Sequence, residues 1–282
     1  MINREEVIKT QGILPNIVGG LGNQLFILAA AFVASETKQL PLYIAQNPLT
    51  HEIANRHNHS KQDYNQSIFS KFGTQCQLNL PELSSLTRHG YTEFSPKGFS
   101  AWTPAEIQPG TIMNSYFQYW PALKPFEHEL RHRILEGIQP NLSAVHQRYD
   151  TSNAVFLHVR RGDYLKYPNF HYGQTIEDYY EPALQQIKSK VSPSNLYVLS
   201  DDIDWVKTQP FFAEMTIVDL PNELDALALM ASCTAGAVIA NSTFSWWGAF
   251  LGAYGNRAPV TYPKRWIGEP ITCLCPEEWI VV

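Results

Sequence analysis

The residues best suited to chemistry fall in four short clusters: Gly19-Gly20-Leu21-Gly22-Asn23-Gln24, His158-Val159-Arg160-Arg161-Gly162-Asp163, Asp201-Asp202 and Asn241-Ser242-Thr243. Each follows an apolar run that reads as a β-strand. In the second cluster, strand alternation puts His158 and Arg160 on one face and Arg161 on the other. A guanidinium fork at a strand end suits phosphate oxygens through charge-assisted, bidentate contacts, which makes Arg160 the expected phosphate ligand. Arg161 is expected to pair with a structural carboxylate, and Asp163 to be that partner or an orienting group. Gly20-x-Gly22 permits positive φ and close approach of backbone N–H groups to a ligand, with the following helix adding the positive end of its dipole. Ser242-Thr243-Phe244-Ser245 opens another helix, where hydroxyls and N–H groups serve as a cap or as an anion site; capping alone would account for Ser242. Together with Arg160 this helix start suits a diphosphate.

Competing patterns are weaker. Gly-x-Gly-x-x-Gly fails because Leu25 occupies its third glycine position, and the second expected strand ends Ala45-Gln46-Asn47 with no acid for a ribose hydroxyl. His128-Glu129-Leu130-Arg131-His132 matches the His-Glu-x-x-His zinc pattern, yet His146 and Asp150 fit no known spacing for a third ligand. Both histidines also turn away from the Phe126/Leu130/Ile134 stripe, toward solvent. Asp202-x-Asp204 at a helix start reads as a cap rather than a metal site. Trp246 and Trp247 are expected to pack in the core.

The elements that must position these clusters follow from hydrophobic periodicity. The first half opens with a strand over 13–18, a helix over 24–35 and a strand over 40–45. Residues 46–109 read as loop-rich, with His51, His57 and His59, and a helix follows over 125–137. The second half alternates regularly: strands over 154–159, 196–200, 216–219, 236–240 and 259–262, with helices over 176–189, 223–231 and 244–253. Such alternation implies parallel sheets covered on both faces, with ligands at the carboxyl ends of the strands. The expected domains are 1–150 and 151–282, with the boundary in the segment 140–153.

Composition narrows the classes further. A chain of 282 residues with 44% hydrophobic, 17% charged and 12% aromatic residues is an ordinary globular one, neither disordered nor a coiled coil. With 21 basic and 26 acidic residues the net charge is −5, so no sequence-wide grip on nucleic acid or anionic lipid is expected, and phosphate recognition must be local. Cys76, Cys233, Cys273 and Cys275 are too scattered for a disulfide scaffold and are read as reduced thiols of a cytoplasmic protein. The uncharged stretch over 10–35 is broken by Pro15-Asn16 and the glycine cluster, which leaves too short an apolar run for a transmembrane segment.

Taken in order, Gly19-Gly20-Leu21-Gly22-Asn23-Gln24-Leu25-Phe26, His158-Val159-Arg160-Arg161-Gly162-Asp163-Tyr164, Leu199-Ser200-Asp201-Asp202 with Trp205, and Ala240-Asn241-Ser242-Thr243-Phe244-Ser245-Trp246-Trp247-Gly248-Ala249 resemble the α1,2-fucosyltransferase family in its soluble bacterial form. The match runs from about residue 13 to 266. One departure is the segment Thr234-Ala235-Gly236-Ala237, which lacks a histidine common in the family. The resemblance implies an α/β, GT-B-like fold of two Rossmann-like domains with mostly parallel sheets facing a central cleft. It implies GDP-fucose as donor, a galactoside acceptor, inversion at the anomeric carbon and no required metal. By that analogy Arg160 holds the β-phosphate, and His158 with Asp201 and Asp202 lies near the guanosine. Ser242, Thr243 and Ser245 line the diphosphate beside Asn241, and Gly20, Gly22 and Asn23 border the donor from the other domain. Asp163 is the first candidate for the general base by position. Alternatives are a protein that binds a GDP-sugar or carbohydrate without transfer, or a fucosyltransferase of different linkage. Tyr116, Tyr119 and Trp120 are the aromatics that would then stack on a sugar. Any membrane-surface association would be weak, because no amphipathic basic helix is visible.

Overall fold

The computed structural model describes residues 1–46, 64–97, 99–166, 173–267, 269–270 and 273–282, so His51, His57 and His59 lie outside the described residues. The chain forms two compact units, Met1–Gly137 and Ile138–Val282. Both are α/β, with mostly parallel sheets.

In the first unit a short helix α1 (Arg4–Thr10) precedes strand β1 (Leu14–Pro15), helix α2 (Leu21–Lys38), and strands β2 (Tyr43–Gln46), β3 (Thr74–Asn79), β4 (Thr92–Phe94) and β5 (Thr111–Met113). Helices α3 (Trp120–Leu123) and α4 (Glu127–Gly137) follow. Strand β5 pairs in parallel with β1 and β4, and β2 with β3. A parallel bridge between Ile13 and Leu42, with the Tyr43 N–H donating to the Ile13 carbonyl at 3.0 Å, joins them into one surface in the order β3-β2-β1-β5-β4. The strand order therefore changes direction between β1 and β5. Helix α2 is apolar on almost every side, and residues 24–35 are all buried, as such a composition requires. Among the described residues no helix is long and apolar enough to cross a membrane.

The second unit begins with helix α5 (Gln139–Arg148) and continues through strand β6 (Ala154–Val159), helix α6 (Glu181–Lys188), strand β7 (Asn195–Ser200), helix α7 (Ile203–Thr208) and strand β8 (Thr216–Val218). Helix α8 (Glu223–Ser232), strand β9 (Gly236–Val238), helix α9 (Thr243–Leu251) and strand β10 (Val260–Tyr262) come next. The short pair β11 (Arg265–Ile267) and β12 (Glu269–Pro270) is antiparallel, and β13 (Ile280–Val281) closes the sheet. Six strands run in parallel in the order β13-β10-β9-β6-β7-β8. All six residues of β6 are buried, as expected of a central strand covered on both faces.

Segment 140–153, expected as the boundary, is mostly helix α5, and it belongs to the second unit. Asn141 Nδ2 donates to Asp225 Oδ1 on α8 at 2.7 Å, and Val145 is buried. The division therefore falls after Gly137 rather than at 150. Helix α6 is also shorter than the expected 176–189, because its first turn, Ile176–Tyr180, is wound as a π-helix that buries Tyr179 and Tyr180. Tyr179 donates to the carbonyls of Ile239 and Thr261 and so ties the end of β9 to β10.

Candidate functional site

In the second-unit sheet the chain leaves β6 toward β7 and β8, and returns on the other side through β9, β10 and β13. The order reverses between β6 and β9, which makes their carboxyl ends the place where a crevice forms in an open parallel sheet. Arg160 follows β6 directly, and the turn 239–242 follows β9. His158, the penultimate residue of β6, sets its ring edgewise 6.1 Å from that of Phe244 in the first turn of α9. The strand end that carries Arg160 thus adjoins the start of α9.

Two carboxylates from the end of β7 hold the two arginines. Arg160 Nη1 lies 3.1 Å from Asp201 Oδ2, and the guanidinium carbon is 5.6 Å from the Tyr164 ring centroid. The other Asp201 oxygen accepts from the Arg161 N–H at 2.8 Å. This approach needs a glycine at 162: a Cβ there would stand 2.5 Å from Asp201 Oδ2. Arg161 Nε donates to Asp202 Oδ2 at 3.0 Å, with its guanidinium 3.8 Å from the Trp205 ring centroid. Asp202 is therefore a structural carboxylate for Arg161. Asp202 also caps α7, accepting from the Trp205 N–H at 3.2 Å, as the capping reading of Asp202-x-Asp204 expects. Asp163 lies in the single turn Asp163–Leu165, and its side chain is outside the described residues.

Burial sorts the remaining candidates. His158 is 5% exposed and its Nδ1 has no hydrogen-bond partner. Burial pushes its pKa down to about 4; Asp201 opposes the shift and Arg160 adds a smaller push in the same direction as burial, so the imidazole is neutral at physiological pH. Ser242 is the residue before α9, but its side chain makes no cap hydrogen bond; capping does not account for it. Ser242 and Thr243 are half-buried at the carboxyl edge. Two other expected ligands are committed to the fold. Ser245 is fully buried, with its hydroxyl donating to the carbonyls of Ala240 and Ser242 at 3.5 and 3.2 Å. Asn241 is 1% exposed: its Nδ2 donates to the Trp266 carbonyl at 2.9 Å, and its own carbonyl accepts from Tyr164 Oη at 2.6 Å. Tyr164, overlooked as a site residue although it stands in the quoted motif, thus bridges Arg160 and the β9 turn. Trp246 and Trp247 are fully buried, as expected.

The glycine cluster lies in the first unit, at the point where that sheet's order changes. Its positive φ belongs to Gly19, at +86°, and not to Gly20, whose φ is −69°, nor to Gly22, which sits inside the first turn of α2. Gln24 Nε2 closes the turn by donating to the Gly19 carbonyl at 2.6 Å. Asn23 Oδ1 accepts from Gln118 Nε2 at 2.9 Å, which links the β1 turn to the loop after β5. Asn114 in that loop accepts from Asn16 Nδ2 at 2.9 Å and donates to Glu93 Oε2 at 3.2 Å. Of the expected aromatics, Tyr116 is 45% exposed, Tyr119 half-buried and Trp120 buried at 2%, so Trp120 is a core residue.

His128 and His132 both lie on the exposed face of α4, with the His128 side chain 96% exposed. Among the described residues no group of three or more His, Cys, Asp or Glu side chains is arranged to hold a metal ion.

The family model described as Glycosyl transferase family 11 matches residues 84–263. The chain is 27% identical to an α-1,2-colitosyltransferase of Escherichia coli over 95% of its length and 98% of that protein. It is 24% identical to galactoside α-(1,2)-fucosyltransferase 2 of Oryctolagus cuniculus, over 94% of this chain and 75% of the relative. In fold it is similar to the crystal structure of NodZ α-1,6-fucosyltransferase soaked with GDP-fucose, at a TM-score of 0.51 and 13% identity, covering 87% of this chain and 96% of that one.

Proposed function

Since the chain belongs to glycosyl transferase family 11, we infer that it transfers L-fucose from GDP-fucose to the 2-hydroxyl of a terminal galactoside, with inversion. The observation that carries this reading is the anchored Arg160, at the point where the sheet order reverses, beside a helix start that Ser242 does not cap. In fucosyl transfer the bond from C1 to the β-phosphate oxygen breaks through an oxocarbenium-like state, while the acceptor oxygen bonds to C1 from the opposite face. Negative charge grows on the departing GDP. The Arg160 fork and the first-turn N–H groups of α9 are suited to stabilise it, which gives the reaction a cationic partner without a metal. Asp201 acts as a positioning residue that fixes the guanidinium. His158, neutral and buried, is read as lying near the guanosine, and Asp163 as the base that takes the acceptor proton.

Support for fucose and for the 1,2-linkage comes from the ordered motifs and from the similarity to the rabbit fucosyltransferase. The likeness to a colitosyltransferase favours a second donor, because colitose is the 3-deoxy counterpart of fucose. The test is to incubate purified protein in EDTA with either GDP-sugar and with lactose or N-acetyllactosamine, following GDP release and product mass. Acceptor-dependent product in EDTA is the expected result, and the donor consumed identifies the sugar. Absence of both product and calorimetric GDP binding would overturn the reading.

A further inference from the structure

The carboxyl edge of the first-unit sheet holds a group of side chains whose chemistry differs from that around Arg160. Carboxamides and one carboxylate make it up: the buried Gln118, in the loop after β5, donates to Asn23 Oδ1, and Asn114, just past the end of β5, donates to Glu93 Oε2 at 3.2 Å. Next to them Tyr116 exposes 45% of its surface, one of the few large apolar side chains left open among the described residues. Its ring stands against the glycine turn, with Cε1 3.4 Å from where a Cβ on Gly19 would be. The following residue, Phe117, holds a left-handed φ of +52° while its ring is buried between Phe94 and Trp102. A bulky residue in that region is strained, and such strain persists where the surroundings over-determine it. Here the buried Phe117 ring fixes the backbone that turns Tyr116 outward.

An open aromatic face beside paired carboxamides matches a particular ligand chemistry. Carboxamides donate and accept at once, as sugar hydroxyls do, and an aromatic ring covers the apolar C–H face of a pyranose. Gly19, Asn23, Asn114, Tyr116 and Gln118 carry no charge, and the exposed Glu93 that accepts from Asn114 Nδ2 at 3.2 Å is an anion, so this group disfavours a phosphate or an acidic sugar. We propose that this edge is a binding site for a neutral pyranose, stacked on Tyr116 and hydrogen-bonded by the half-buried Asn114, and that this pyranose is the acceptor. The last step rests on the glycosyl-transfer reading; the sugar site itself does not.

The experiment measures sugar binding by saturation-transfer NMR, using a panel of neutral oligosaccharides that end in galactose, N-acetylgalactosamine, glucose or N-acetylglucosamine. Calorimetric titration with GDP runs beside it on the same proteins. The wild type is expected to bind at least one panel member, and Tyr116→Ala to weaken that binding about tenfold or more with GDP affinity unchanged. Tyr116→Phe, which keeps the ring, should stay within about threefold of wild type on the same scale. Equal sugar affinity in Tyr116→Ala, or a wild type that binds GDP and no sugar of the panel, overturns the proposal. Sugar binding that depends on Tyr116 in a protein that takes no GDP upholds this site and overturns the donor reading instead.

Discussion

At the carboxyl edge of the second-unit sheet, Arg160 and Arg161 stand in ion pairs with Asp201 and Asp202, whereas the corresponding edge of the first unit presents Asn23, Asn114 with its partner Glu93, and an open Tyr116 ring, with Gln118 buried against Asn23. Both groups occupy the same topological position, where a parallel sheet changes strand order. Topology therefore supplies the place and the side chains decide the ligand. A cationic fork with a helix dipole suits a diphosphate, and amides with an aromatic face suit a neutral sugar. The means of positioning differ as well. Arg160 is held by a charge, and by a glycine at 162 that lets the carboxylate close in; Tyr116 is held by the buried ring of its neighbour.

The largest effect that would break this contrast is at Arg160. Loss of one preorganised donor to a developing charge typically costs about 100- to 1000-fold in rate, so Arg160→Ala should lose turnover on that scale while remaining folded. Arg160→Lys keeps the charge without the fork and should recover little. Steady-state kinetics on folded variants checks both. At the other edge, Tyr116→Ala should raise the acceptor KM about tenfold and leave kcat at saturating acceptor close to wild type, because a platform used equally by substrate and transition state alters KM alone. A fall in kcat with unchanged KM would place Tyr116 in the chemical step instead.

Smaller effects sharpen the distinction between binding and scaffolding. Asp202→Ala removes the cap of α7 and the partner of Arg161, and should cost about 1 kcal/mol of stability in denaturant unfolding. The smallest effect at neutral pH is expected at His158. Its folded pKa of about 4 lies below the unfolded value near 6.5, so between those values the unfolded chain binds the extra proton. Its contribution to stability is complete above pH 6.5 and is lost progressively as pH falls toward 4. Urea unfolding of His158→Gln should show a flatter pH dependence across that window than the wild type.

The second unit was largely legible because its signals are long or regular. Strand β6 is a continuous apolar run, α8 and α9 fall within about two residues of the expected spans, and the Arg160 cluster follows its strand end directly. The first unit was less so: β4 and β5 have three residues each, too few to show a period of two, and β1 has only two. Helix α5 was hidden by Pro140, which reads as a breaker but is tolerated in the first turn of a helix. At the site, residue type alone could not separate Ser242 from Ser245, or Asn241 from a ligand contact, since hydroxyls and amides that bind anions also tie off strand ends. Only burial does that. The pairing of Arg161 with Asp202 joins residues far apart in sequence, and no local pattern announces it.

The most direct test of the charged edge is a calorimetric titration of GDP into the wild type and into Arg160→Ala, in EDTA and with folding checked by circular dichroism. The account predicts saturable binding by the wild type and an affinity at least about tenfold lower in the variant. Equal affinities in the two proteins, or no binding by the wild type, would contradict it.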